Sequence, residues 1–440
     1  MLIKGIRRIV GSEENELASR IKVKGKKTIK GSISVSGAKN AALAIIPATI
    51  LAGDTCILEN VPQITDVMTF QHILKEMGAE VEQIDQSKFK VDSSTMTEWQ
   101  AVSESMNSFR ASYYVLGALL ARFKKAKAVL PGGCSIGLRP IDQHIKGFEA
   151  LGAKCKVEHG TITVEAERLI GTTIYLDVVS VGSTINIMLA AAGAEGRTVI
   201  ENAAREPEVV DVANFLNGIG VKVRGAGTAT IRITGNDNRT GVTHPIIPDR
   251  IEAATWLSMA VATNSNIKVE NVIPVHLEAV IAKLREMGAK IEEGEDFIKI
   301  SANGNLKAVD LKTFPYPGLP TDIQSQMMIA LLQAKGVSTI IENIFDNRFR
   351  CVSELRKMGV DIKVDGSMAM IEGPQSLSGA LVYATDLRCA AALIIAGLCA
   401  EGETIIENIF HLDRGYEHVI EKLSALGAEI VRETYETLDD

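Results

Sequence analysis

Little in this sequence could build a disulfide framework or a zinc site. Its six cysteines (Cys56, Cys134, Cys155, Cys351, Cys389 and Cys399) form no CxxC pair and show no metal-ligand spacing. A 440-residue chain can bury enough apolar surface for two domains without staples, so the thiols read as reduced and the compartment as cytoplasmic. Long apolar runs are also missing. The longest, Cys389 to Ala400, is too short to cross a bilayer and reads as a buried helix. The opening MLIKGIRRIVGSEENELASR has basic residues but no uninterrupted apolar stretch, so it does not read as a signal peptide.

Basic charge is short as well. The formal net charge is −7, which argues against nucleic-acid or anionic-membrane partners but leaves room for a local basic pocket. The sequence has no GxGxxG opening a helix after a strand, no GxxxxGK[ST], no HExxH and no GxSxG. The seven histidines show no ligand spacing. Redox cofactors, nucleotide hydrolysis and metalloprotease chemistry lack a foothold, and the expectation is a site with neither cofactor nor metal. Nothing signals an oligomeric state.

What the chain does have is a sixfold repeat. LKEMGAEVE, FEALGAKCKVE, FLNGIGVKVRG, LREMGAKIEE, LRKMGVDIKVD and LSALGAEIVRE each read as the end of an amphipathic helix, a glycine stop and a short strand. The glycines are Gly78, Gly152, Gly220, Gly288, Gly359 and Gly427, spaced by 74, 68, 68, 71 and 68 residues. Five units also carry Glu-Asn at the end of the preceding strand: Glu59-Asn60, Glu201-Asn202, Glu270-Asn271, Glu342-Asn343 and Glu407-Asn408. The second unit has Pro131-Gly132-Gly133-Cys134 there instead, and a repeat that breaks at one place points to function at that place.

Each unit also contains an earlier helix, and most of these are apolar nearly all round after their first turn, such as KNAALAIIPATILAG or DLRCAAALIIAGLCAEG. Such a helix must be buried on every side. Each unit therefore reads as strand, buried helix, strand, amphipathic helix, strand. Six units divide into two groups of three, predicting an α/β fold of two inside-out barrel domains with helices inside and sheets around them. The domains are expected at 38–247 and at 21–37 with 248–440, the hinge falling near His244 to Pro248 and the N-terminal strand, around Ile21 to Ile33, returning to the second domain. Residues 1–20 have no counterpart in the repeat and read as a flexible extension. Duplication for stability alone is the plain alternative.

Polar groups open every buried helix: Lys39 and Asn40, Arg110, Val181-Gly182-Ser183, Asp249 and Arg250, Asp322, and Asp386 with Arg388. If pseudo-symmetry points six helix N-termini at one cleft, their partial positive charges make an anion site. Asp322, Asp386 and Ser183 are equally read as N-caps. Capping does not account for Lys39, Arg110, Arg250 and Arg388, because cations oppose the macrodipole there. Arg139, Arg348 and Arg414 sit in connecting loops and suit carboxylate or phosphate. Cys134, in the glycine-rich Pro131 to Pro140 segment, reads either as the reactive tip of a lid beside Arg139 or as a small apolar filler.

Taken together, SGAKNAA (36–42), FRAS (109–112), PGGCSIGLRPIDQH (131–144), ENAAREPEVVD (201–211), LPTDIQSQ (319–326), NRF (347–349), ATDLR (384–388) and DRGYE (413–417) resemble the UDP-N-acetylglucosamine 1-carboxyvinyltransferase family of enolpyruvyl transferases. The resemblance runs from about residue 21 onward. It implies two small-molecule substrates, phosphoenolpyruvate and UDP-N-acetylglucosamine, in the first committed step of peptidoglycan synthesis. The implied reaction is a metal-free addition–elimination in which the sugar 3-hydroxyl attacks C2 while C3 takes a proton, and the adduct then loses a proton and phosphate. By motif, Cys134 is implied as the general acid and the residue alkylated by fosfomycin, and Asp322 as the base. Lys39, Arg139 and Arg414 would hold the phosphoryl group or the closed lid, and Arg348 and Arg388 would face the carboxylate. Asn40, Arg110, Arg139, Pro140, Ile141, Asp142, Gln143, Ser180, Val181 and Ile344 would contact the UDP-sugar. One departure is Val178, where some relatives carry Lys. The related 3-phosphoshikimate 1-carboxyvinyltransferases share fold and mechanism but lack the PGGC cysteine. A non-catalytic UDP-sugar-binding regulator is the reading from another class, and the intact Lys39, Cys134, Asp322 and Arg388 weigh against it.

Overall fold

The computed structural model describes residues 17–102, 113–130 and 141–436. Arg110, Cys134, Arg139 and Pro140, and with them the lid reading, lie outside the described residues.

The repeat is visible as six four-stranded sheets. In each, a short strand runs parallel to the strand that follows the inner helix. In the third unit, for example, Thr173–Tyr175 pairs in parallel with Arg197–Glu201 across the inner helix Val181–Ala191. Two antiparallel strands then complete the sheet, so each unit closes on two strands rather than the single one its sequence suggests. Five units supply both strands themselves, such as Lys222–Arg224 and Thr230–Thr234. In the sixth, Glu429–Glu436 pairs instead with Leu17–Lys24, which also pairs with Glu403–Glu407. That N-terminal strand starts at Leu17, so residues 17–20 belong to a sheet rather than to an extension.

The inner helices are Lys39–Ala48, Tyr114–Phe123, Val181–Ala191, Arg250–Ala262, Gln324–Leu332 and Leu387–Cys399. Nearly every residue after their first turn is buried, as their all-round apolar character requires. They feed two separate apolar cores. One draws on residues between 38 and 246, the other on 21–35 together with 253–430. The helices approach closely where a residue is small. A Cβ on Gly117 would stand 2.2 Å from the carbonyl oxygen of Asn186.

The two sequence signatures have structural causes. All six repeat glycines have φ between 90° and 107°, a region L side chains rarely enter. Asn60, Asn202, Asn271 and Asn408 also take positive φ, from 52° to 61°. Each of the five strand-end asparagines donates its side-chain amide to a carbonyl at the neighbouring parallel strand, as Asn271 does to Val35 and Asn202 to Leu176. Asn is suited to both tasks: it tolerates the left-handed region and carries a short donor.

One exchange ties the two cores together. Lys30–Ser34, which leads into the first inner helix, pairs with Asn266–Glu270 of the fourth unit, and Thr243–Pro245, which leads into the fourth, pairs with Thr55–Glu59 of the first. The chain therefore crosses twice, and the crossings lie side by side. Ala38 N–H donates to Ile247 at 2.7 Å and Asp249 N–H to Ser36 at 2.9 Å. Gly37 is required there, since a Cβ would come within 1.7 Å of the Asn60 carbonyl oxygen.

Candidate active site

Asp322 lies in a short 3-10 turn, Thr321–Ile323, that runs into the inner helix Gln324–Leu332. It is not an N-cap; its carboxylate is forked by two guanidinium groups. Arg348 donates to Oδ1 at 2.9 Å and Arg388 to Oδ2 at 2.8 Å. Both arginines are buried, 3% and 5% exposed, which is tolerable for a cation only with such partners. Arg348 also donates to the Thr321 carbonyl. Burial alone would lower the pKa of Arg388, but the charge of Asp322, helped by Asp249, outweighs it and keeps the guanidinium charged.

Behind Arg388 stands Tyr416, almost fully buried. Its oxygen accepts from Arg388 at 3.4 Å and from the Gln326 amide at 3.2 Å, and shares a proton with Thr255 at 2.8 Å. Burial pushes the Tyr416 phenol up, so it stays neutral. The helix Leu387–Cys399 is capped by Asp386, which accepts from the N–H groups of Arg388 and Cys389.

Two residues before Tyr416, Arg414 crosses to the other core. It grips Asp66 with Nε at 2.8 Å and Nη2 at 3.2 Å. Asp66 lies in the first turn of Thr65–Glu76 and also meets Lys39 Nζ at 2.7 Å. Lys39 is itself buried at the head of its inner helix. Desolvation dominates its titration, and the positive charges of Arg414 and Arg388 add to it. Asp66 offsets part of this, leaving the ammonium pKa lowered to about 8. Burial likewise works to raise the Asp66 carboxyl, but Lys39 and Arg414 overcome it and hold the group below its ordinary value. Asp249 completes the junction. It caps Arg250–Ala262 by accepting from Ile251 and Glu252, and its other oxygen accepts from the backbone N–H of Lys39.

Four inner-helix starts thus converge: those at Lys39, Arg250, Gln324 and Leu387. Among the described residues, Lys39, Arg348, Arg388 and Arg414 face the paired carboxylates Asp66 and Asp322, while Asp249 is taken up by backbone N–H groups. The expected convergence of all six starts is only partly realised. Arg110 lies outside the described residues. Arg250 turns away to a buried pair with Glu208, at 3.0 and 3.3 Å. At the third helix the cap is Ser180, whose Oγ accepts from the Ser183 N–H, so the capping roles of these serines are the reverse of the sequence reading.

The remaining sequence-predicted residues form a second group. Gln143 is buried, donating to Asp142 and Asp177 and accepting from the Asp177 N–H. Asp142 is exposed and Ile141 packs on the first core. Val178 and Val179 are exposed beside the half-buried Ser180 and Val181. Asn40 is half-buried next to Lys39, and Ile344 is 38% exposed with its N–H held by the buried Glu342. Sequence reading passed over Asp66 and Tyr416. Tyr416 was in view inside DRGYE, but Asp66 reads only as an acidic residue in a helix first turn.

Comparison with known proteins agrees with this geometry. The profile of the EPSP synthase (3-phosphoshikimate 1-carboxyvinyltransferase) family matches residues 23–423. UDP-N-acetylglucosamine 1-carboxyvinyltransferase 3 of Caldanaerobacter subterraneus subsp. tengcongensis is 52% identical over 410 residues, 93% of this chain and 98% of that protein. The UDP-N-acetylglucosamine 1-carboxyvinyltransferase of Halothermothrix orenii is 54% identical over 408 residues, with coverage of 93% and 98%. Among solved structures, the enolpyruvyl transferase NikO from Streptomyces tendae superposes with a TM-score of 0.87 at 25% identity, covering 96% of this chain and all of that one.

Proposed function

Because the chain belongs to the EPSP synthase family and, within it, to the UDP-N-acetylglucosamine 1-carboxyvinyltransferases, we propose that it transfers the enolpyruvyl group of phosphoenolpyruvate to the 3-hydroxyl of UDP-N-acetylglucosamine. Phosphate leaves, and the product enters peptidoglycan synthesis. The observation that carries the assignment to particular residues is the Asp322 carboxylate held between Arg348 and Arg388, next to the Lys39–Asp66–Arg414 junction.

The site needs cations for a substrate with a carboxylate and a phosphate on one small carbon skeleton. Arg348 and Arg388 suit the carboxylate, being planar forks already aimed at one. Lys39 and Arg414 suit the phosphoryl group. The substrate carboxylate then takes over the two guanidinium groups, and Asp322 is released from its fork. Freed, it accepts the proton of the attacking sugar hydroxyl as the oxygen bonds to C2. Cys134 supplies the proton to C3. In the second stage the adduct loses a proton from that carbon and phosphate departs toward Lys39 and Arg414. A positioned base or acid contributes roughly 10²–10⁴-fold, and the fixed cations stabilise the charge that develops on phosphate.

Asn40, Arg110, Arg139, Pro140, Ile141, Asp142, Gln143, Ser180, Val181 and Ile344 form the proposed UDP-sugar contacts. In this reading residues 38–247 form one domain and 17–37 with 248–440 the other, with the substrates bound between them. The test is phosphate release from phosphoenolpyruvate with each acceptor. Release with UDP-N-acetylglucosamine and none with shikimate 3-phosphate is expected. The reverse pattern overturns the acceptor, and no release with either overturns the enzyme.

A further inference from the structure

We propose that Asp66 is a positioning residue that sets where Lys39 and Arg414 stand, and so how the site grips the phosphoryl group. The inference rests on the reading of these two cations as the phosphate side of the site. Lys39 and Arg414 come from opposite cores, and their side chains meet through Asp66: Nζ of Lys39 at 2.7 Å on Oδ2, Nε of Arg414 at 2.8 Å on Oδ1, and Nη2 of Arg414 at 3.2 Å on Oδ2. All three groups are largely withdrawn from water, with side-chain exposures of 10%, 6% and 20%. Two like charges brought this close in a dry setting repel unless an anion stands between them. Asp66 is that anion before substrate arrives. A single carboxylate leaves the pair one positive charge in excess, which suits an incoming phosphoryl group.

Asp66 also keeps Lys39 charged. Among the described residues, the charged groups that weigh most on the Lys39 ammonium are Asp66, Arg414 and Arg388, while Asp249 takes its backbone N–H. Of the three, Asp66 alone favours the protonated form; burial and both arginines oppose it. Removing the Asp66 charge therefore removes the support for an ammonium that titrates near pH 8, and a neutral Lys39 no longer attracts phosphate.

The experiment is Asp66→Asn in the full chain, with kcat and KM for phosphoenolpyruvate measured across pH at saturating UDP-N-acetylglucosamine. KM is expected to rise by about tenfold or more, the scale of a lost hydrogen bond to a charged group, with a smaller change in kcat. The alkaline limb of kcat/KM is expected to move to lower pH by about one unit or more, the sign of a lysine that has lost a neighbouring anion. Affinity for UDP-N-acetylglucosamine alone, measured by calorimetry, is expected to be unchanged. Asp66→Glu keeps the charge but moves it, so KM should rise while the limb stays in place. This second variant also covers the case in which the asparagine variant does not fold. An unmoved limb in Asp66→Asn, or an unchanged KM in both variants, overturns the proposal. If the unaltered enzyme releases no phosphate from these substrates, it is the functional reading that falls, and this inference with it.

Discussion

Lys39 is the residue on which charge and burial are most finely opposed. Its ammonium is lowered to about 8, so it is protonated below that pH and neutral above. The expected outcome is that kcat/KM for phosphoenolpyruvate falls as pH rises through about 8, and that Lys39→Met loses both this limb and at least about 10²-fold in kcat/KM, as for removal of a preorganised charge contact. Asp322→Asn should leave UDP-sugar affinity within a few-fold while lowering kcat by roughly 10²–10⁴-fold, measured by phosphate release. Cys134→Ala is expected to fold normally, with an unchanged circular dichroism spectrum, and to lose most turnover. A different residue governs acid stability. Burial lowers the His144 pKa to about 4, outweighing an opposing pull from Asp142. The unfolded chain, with an ordinary imidazole near 6.5, binds the proton more readily. The stabilisation tied to neutral His144 is thus full above about pH 6.5 and lost as pH falls toward 4, amounting to about 3 kcal/mol. Urea unfolding over that range should show the decline, and His144→Gln should flatten part of it. At this scale the sequence was legible where a residue type is out of place. Lys39 and Arg388 at helix starts needed an anion to explain them. Asp66 was not legible, because an acidic residue in a first turn already has a local reason to be there, and its partner Arg414 lies 348 residues away.

At the scale of elements, the glycine stops and the Glu-Asn strand ends were readable because their causes are local. A helix stop needs positive φ, and an asparagine at positive φ that must also bridge two strands has few substitutes. Asn271→Ala should lose both the tolerated backbone geometry and the bond to Val35, for a cost of about 2 kcal/mol. Asn271→Gly should cost less, since it restores the backbone freedom alone. Chemical denaturation compares the two. The paired closing strands were less legible. Their turns, such as His159-Gly160 between Lys154–Glu158 and Thr161–Glu165, are so short that the alternation runs on as one segment. The cap at Asp386 is one of two sequence readings, whereas Asp249 reads only as a polar residue at a helix start. Only the packed structure shows that Asp249 serves two helices at once, whereas the Asp322 carboxylate meets the guanidinium pair.

At the scale of the whole molecule, polar bridges link the two separate apolar cores. Beside Arg414–Asp66, the Arg250–Glu208 pair and the Tyr316 N–H to Glu206 bond join them. Arg250→Ala strands a buried Glu208 without its cation, and a loss of roughly 3–5 kcal/mol is expected. Sixfold periodicity made the inner helices and the two groups of three readable. The return of the N-terminal segment to the second group was readable too; which strand there each part joins was not, because nothing in a strand's own sequence names its neighbour.

The strand exchange between the first and fourth units, with the N-terminal strand set between Glu403–Glu407 and Glu429–Glu436, also imposes an order of assembly during translation. Residues 38–246 carry their own apolar core and can gather it early, although Glu208 and Asp66 wait for Arg250 and Arg414. The other core must keep Lys30–Ser34 waiting until Asn266–Glu270 is made, and Leu17–Lys24 until Glu403–Glu407 and Glu429–Glu436 follow. The active junction is therefore the last part of the molecule to exist, and a nascent chain stalled before residue 403 would hold a finished half with no enzyme attached to it.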